Sequence, residues 1–94
     1  MYATIRRYEG VTDPAEDRRR VREEFVPLLK DMPGFVAYYE IDAGNGVMAT
    51  ISVFEDQAGE EASTERAAEW VRENEASISP NPPEVTAGEV VASG

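Results

Sequence analysis

Cysteine and histidine are both missing from this 94-residue chain. Without cysteine there is no disulfide, no thiolate zinc site and no thiol nucleophile. Without histidine the chain lacks the commonest general base near neutral pH and the commonest transition-metal ligand. Lysine is nearly missing too: Lys30 stands alone, and the other eight cations are arginines. Nineteen acidic against nine basic side chains leave a formal charge of −10. So acidic a protein is poorly matched to phosphate backbones and anionic lipid, and neither a nucleic-acid nor a membrane partner is expected. No apolar run approaches the length of a membrane span, and Met1 leads straight into a patterned segment rather than a signal peptide, so a cytoplasmic location is expected. The acid excess fits a salt-rich cytoplasm, where self-repulsion is screened; a GC-rich genome that favours arginine codons accounts for the missing lysine equally well.

The hydrophobic share of 41% supports one core, and residues 1–94 are expected to form a single domain. Tyr2 to Glu9 is rich in β-formers and reads as a strand that Gly10 ends. Thr12-Asp13-Pro14 opens a helix, with an oxygen-bearing cap and a proline whose missing N–H costs nothing in the first turn. Val21, Phe25, Leu28, Leu29 and Met32 recur at helical spacing, and Pro27 inside that stripe predicts a kink or an early break. Pro33-Gly34 stops the helix.

Two strands follow, Phe35 to Asp42 and Val47 to Phe54, around Gly44-Asn45-Gly46. A three-residue loop with Gly46 left-handed brings the odd positions of both strands onto one uncharged face: Phe35, Ala37, Tyr39, Ile41, Val47, Ala49, Ile51 and Val53. That face is expected under the helices. Val36, Tyr38, Met48 and Phe54 then make an apolar patch on the other side, which a second copy would cover, and a homodimer follows. A second helix from about Ala58 to Ser77 carries an inward stripe of Ser63, Ala67, Trp70, Val71, Asn74 and Ile78. The stiff connector Pro80-Asn81-Pro82-Pro83 leads to a last strand, Val85 to Ala92. The order βαββαβ, with right-handed crossovers, predicts a ferredoxin-like α+β domain: a four-stranded antiparallel sheet with two helices on one face.

That order, the Pro33-Gly34-Phe35 step and Trp70 late in the second helix together resemble the antibiotic biosynthesis monooxygenase domain, of the dimeric α/β-barrel superfamily. The resemblance covers nearly the whole chain. It implies a homodimer whose two sheets form a barrel, with a pocket in each protomer between sheet and helices. Some members oxidise polycyclic phenols to quinones with molecular oxygen and no flavin or metal, so no cofactor is expected. The haem-degrading branch needs an axial histidine, which this chain lacks. In active members an asparagine and a tryptophan help to bind substrate; here Asn74 follows Trp70, whereas the family places its asparagine first.

The candidate substrate-binding residues are Trp70, Asn74 and Tyr39, and no catalytic base stands out. Trp70 has a face to stack on a flat aromatic ligand and an N–H to hold an oxygen, or else it packs the core. Asn74 lies one turn further along the same helix face, where its amide reaches either a substrate oxygen or the helix end. Tyr39 sits mid-strand on the expected inner face with a hydroxyl that needs a partner; Tyr38 points the other way, toward the dimer partner. Arg6 and Arg7 must face opposite sides of the sheet, and the one on the far side is expected to pair with Glu40 or Asp42. The run Arg18-Arg19-Arg20-Arg22 is surrounded by acids and reads as a solvated, ion-paired helix. No loop spaces oxygens as calcium requires, and no glycine-rich phosphate loop is present. Two functions remain: a cofactor-independent monooxygenase acting on a polycyclic phenol or quinol, or a non-catalytic small-ligand-binding or stress-associated homodimer using the same pocket.

Overall fold

Asp13 and Pro14 start the first helix as their chemistry predicts. The Asp13 carboxylate accepts the backbone N–H of Glu16 at 3.1 Å, and Pro14 takes the first helical position. In the computed structural model, which describes residues 1–94, the chain runs β1 (Tyr2–Tyr8), α1 (14–30), β2 (Phe35–Gly44), β3 (Val47–Phe54), α2 (Gln57–Asn74) and β4 (Glu84–Glu89). The irregularity expected near Pro27 is a π-helical stretch, Val21–Phe25, between α-helical Pro14–Arg20 and Val26–Lys30. Proline offers no N–H to the carbonyl a turn behind it, and widening the preceding turn is one way to absorb that loss. No helix is long and apolar enough to cross a membrane.

The sheet order is β2-β3-β1-β4 and every neighbouring pair is antiparallel, the ferredoxin-like arrangement. The predicted register holds: Ala37 pairs with Val53, Tyr39 with Ile51 and Ile41 with Ala49. Its cause differs from the one expected. The turn is a two-residue one, with Asn45 at φ 55° and Gly46 at φ 76°, and an extra residue bulged between Asp42 and Gly44 restores the odd-with-odd pairing. Gly46 is needed there for space as well as for its backbone angle. A Cβ on it would lie 3.0 Å from the carbonyl oxygen of Val11, and the Val11 N–H donates to the Gly46 carbonyl at 3.0 Å.

The choice of face is reversed. Phe54 is wholly buried and Met48 nearly so, together with Thr4, Arg6, Thr50 and Ser52, all beneath the helices. Tyr38 and Glu40 share this covered face, because Tyr38 pairs with Ser52 and Glu40 with Thr50. The uniformly uncharged side therefore faces away from the helices, where Ile5, Tyr39 and Ile41 are 46%, 62% and 47% exposed. A second bulge, at Val36 between Phe35 and Ala37, rotates Phe35 back onto the helix side, where its ring meets Phe54 edge-on at 5.8 Å. The apolar patch expected on Val36, Tyr38, Met48 and Phe54 does not form: only Val36 stays outside.

The reversal has a physical reason. Alternation reports which residues share a side, not which side the helices cover. The polar residues of the covered side are satisfied there. Arg6 donates to Thr64 Oγ1 at 2.7 Å and to Ser52 Oγ at 3.4 Å, and stands 3.9 Å from Glu60, which also accepts from the Thr4 and Thr64 hydroxyls. Arg7, on the open side, pairs with Glu9 rather than with Glu40 or Asp42. Over the covered face lies a cluster of Val21, Phe25 and Leu29 from α1, Phe54 from β3, and Ala67 and Trp70 from α2. The arginine run behaves as expected, with Arg19 bonded to Glu16 and Glu23 and Arg20 to Glu16.

Candidate functional site

Between the covered face and the two helices lies a chamber with an aromatic lining. Its apolar wall is Val21 and Phe25 from the π-helical stretch, Met48 from β3 and Trp70 from α2. The Phe25 ring lies 4.9 Å from the Trp70 ring at 38° and meets Tyr38 edge-on at 5.6 Å. These rings nearly close the space, leaving ≈ 30 Å³ for the centre of a water-sized sphere, room for about one or two waters. Arg6, Tyr8, Ala67, Val71 and Ser79 line this chamber and also a wide mouth beside it, of ≈ 450 Å³ on the same measure. The mouth runs between α2 and the stiff Pro80–Pro83 connector to Val85 of β4, and it is large enough for a drug-sized ring system.

The inner end of the chamber is acidic. Asp17 comes from α1, Glu40 from β2, and Glu75 from the C-cap of α2. Burial, then hydrogen-bonding contact with Asp17, pushes Glu40 up to about 8. Burial, then the charge of Asp17, does the same to Glu75, also to about 8. Arg18 opposes the rise at Glu40 and Arg20 at Glu75. Burial also raises the phenols of Tyr8 and Tyr38 above the usual tyrosine range. The three carboxyls are not arranged to hold a metal ion.

Of the candidates chosen from sequence, Trp70 is in the chamber and 5% exposed. Asn74 is not part of its lining: the amide Nδ2 turns back on its own helix and donates to the Trp70 carbonyl at 3.0 Å, while its own carbonyl accepts from Arg20. Tyr39 projects from the open side of the sheet, away from the chamber, and Tyr38, expected at a dimer interface, takes the place inside. Sequence reasoning missed Asp17, Glu40 and Glu75. A signal for two of them was present: Asp17 precedes Val21, Phe25 and Leu29 at four-residue steps, and Glu75 follows Ala67 and Val71 in the same way. An acid continuing an apolar helix stripe is a buried acid.

No family model matches the sequence, and no curated protein does. The fold has several solved counterparts. A protein of unknown function from Nitrosomonas europaea superposes with a TM-score of 0.81 at 21% identity, over 99% of this chain and 91% of that one. SnoaB, a cofactor-independent oxygenase from Streptomyces nogalater, gives 0.74 at 16% identity over 98% and 94%. A monooxygenase from Streptomyces coelicolor, in complex with nanaomycin D, gives 0.69 at 17% over 98% and 92%. The chain therefore has the ferredoxin-like fold shared by the antibiotic biosynthesis monooxygenase proteins.

Proposed function

We propose that the chamber and its mouth hold a hydroxylated polycyclic aromatic molecule and promote its oxidation by molecular oxygen without a cofactor. The observation that carries this reading is the aromatic-lined chamber beside a mouth of ≈ 450 Å³, with Arg6 lining both. The ring system would lie in the mouth and a hydroxyl-bearing edge would enter the chamber. An electron-rich phenolate supplies the electrons for oxygen in such chemistry; the protein orients it, excludes water and stabilises its charge. Two of the structural counterparts carry oxygenase names, which supports the reading by fold.

Oxygen uptake with an anthrone-type substrate tests it. Uptake above the protein-free rate is expected, and Trp70→Phe should lower kcat/KM about tenfold by loosening the ring wall. Asn74→Ala should stay within about twofold, since that amide serves its own helix. No uptake above background with any such substrate rejects the oxygenase. Binding without uptake favours the non-catalytic ligand-binding dimer, whose supporting observation is the ≈ 30 Å³ chamber, too small to enclose a ring.

We further propose that a second copy covers the open side of the sheet. Ile5, Tyr39 and Ile41 are exposed there beside Ala49, Ile51 and Val53, an apolar surface whose Arg7 is paired with Glu9, on a molecule whose net acidity otherwise repels a second copy. Ile51→Asp should halve the mass seen by light scattering. A parent protein that already has the mass of one chain refutes the dimer.

A further inference from the structure

The three carboxyls at the inner end of the chamber are accompanied by acceptors without donors. Asp17 is 7% and Glu75 1% exposed, and Asp17 Oδ2 and both Glu75 carboxylate oxygens have no hydrogen-bond donor outside the cluster. Ser79, 9% exposed and lining the same chamber, leaves its Oγ without any partner. Buried polar atoms are ordinarily paired, and each one left unpaired is a cost to the fold. A structural acid cluster would be matched by cations. Of the nearby arginines, Arg20 donates to Glu16 and to the Asn74 carbonyl and Arg6 to Thr64 and Ser52, while Arg18 acts on Glu40 by its charge and not through an ion pair. Three groups with four unpaired oxygens beside an aromatic wall call for a ligand that brings donors.

We propose that Asp17, Glu40 and Glu75 form the proton-accepting end of the ligand site, where a phenol hydroxyl of the bound aromatic donates to the cluster and passes its proton to it. This rests on the reading of the chamber as an aromatic-ligand site. In the step, the phenol O–H bond breaks, its electron pair stays on the ligand oxygen, and a new O–H bond forms on a carboxylate oxygen. One negative charge moves from the cluster to the ligand, with Arg6 on the ligand's side of the chamber. No charge is created in the buried space, and no oxidant takes part.

The electrostatics suit this step. Protons in such a group belong to the cluster as a whole; both glutamates are held at about 8, so near neutral pH the cluster keeps part of its protons, and its accepting fraction grows toward that value. Other charged and titratable groups face the cluster from every side: Glu16, Arg18 and Arg20 on α1, Arg6 and Tyr8 on β1, and Tyr38 on β2. Tyr8 and Tyr38 have phenols raised by burial, so neither competes as an acceptor near neutrality.

A hydroxyanthraquinone that changes colour on ionisation serves as the probe, titrated from about pH 5 to about pH 9 on the parent protein and on Asp17→Asn/Glu75→Gln. Quenching of Trp70, the only tryptophan, measures binding separately. On the parent protein the bound dye is expected to ionise at least about one pH unit below the free dye, a tenfold shift in its equilibrium. In the double variant the midpoint should return to or above the free value, with the dye still bound as read by Trp70 quenching. Glu40→Gln alone should give an intermediate shift. Quenching with an unshifted or raised midpoint, or a shift that survives in the double variant, overturns the proton-accepting role alone. Fluorescence indifferent to every hydroxylated aromatic overturns the ligand site and this role with it.

Discussion

Arg6→Met is expected to unfold well below the parent protein. Arg6 is 6% exposed and Glu60 is 4% exposed, and the guanidinium is the one cation that stands near the Glu60 carboxylate. Removing one partner of a buried ion pair costs about 3–5 kcal/mol, because the remaining charge stays desolvated. For a domain of this size that is a fall in Tm on the order of 15 °C or more. Adding Glu60→Gln should recover at least half of the loss. It removes the orphaned charge but leaves an oxygen to accept from the Thr4 and Thr64 hydroxyls. Calorimetry on the single and double variants decides the matter. A single variant that melts within a few degrees of the parent shows that Glu60 does not depend on Arg6.

Stability should fall as pH rises from weakly acidic to weakly alkaline, the reverse of ordinary acid denaturation. Glu40 and Glu75 are raised from the usual carboxylate range to about 8 in the folded chain. Between those two values the folded protein holds protons that the unfolded chain releases. Their contribution is therefore complete below the unfolded value and is lost as pH passes through about 8. The formal charge of −10 adds self-repulsion in the same direction, and a neutral variant separates the two effects. Glu75→Gln should melt several degrees above the parent near pH 8.5 and about level with it near pH 5, flattening the curve. Circular-dichroism melts across this range provide the check. Equal slopes for parent and variant would assign the whole effect to net charge and none to Glu75.

Much of the architecture was legible in the sequence, and the reasons can be read from particular residues. Asp13-Pro14, Pro33-Gly34 and Asn45-Gly46 constrain the backbone locally, so the positions they punctuate needed no tertiary information. Register followed from the charge pattern of two neighbouring strands. Which side the helices cover is a different kind of question. Neither side of β3 carries a charge: Met48, Thr50, Ser52 and Phe54 meet the helices, and Val47, Ala49, Ile51 and Val53 lie on the open side. The absence of charge was taken to mark the interior, yet here it marks the open side. The interior tolerates Arg6, Glu40 and Glu60 because tertiary neighbours satisfy or protonate them. Trp70 was found because large aromatics in a helix stripe are nearly always buried. Tyr39 and Tyr38 changed places with the inverted face. Asn74 was placed at the right height on α2, but the carbonyl of Trp70 was a nearer partner than any ligand.

The bulge at Val36 has a consequence for how the chain tolerates length change. Successive side chains of a strand point to opposite sides, and β2 alone carries residues of both the chamber and the open surface. Phe35 pairs with Phe54 and Ala37 with Val53, so deleting Val36 closes the bulge and leaves every later pair of β2 in place. Tyr38 and Glu40 then stay beneath the helices and Tyr39 and Ile41 on the open side, so the bulge lets this end of β2 lose one codon without exchanging the two surfaces.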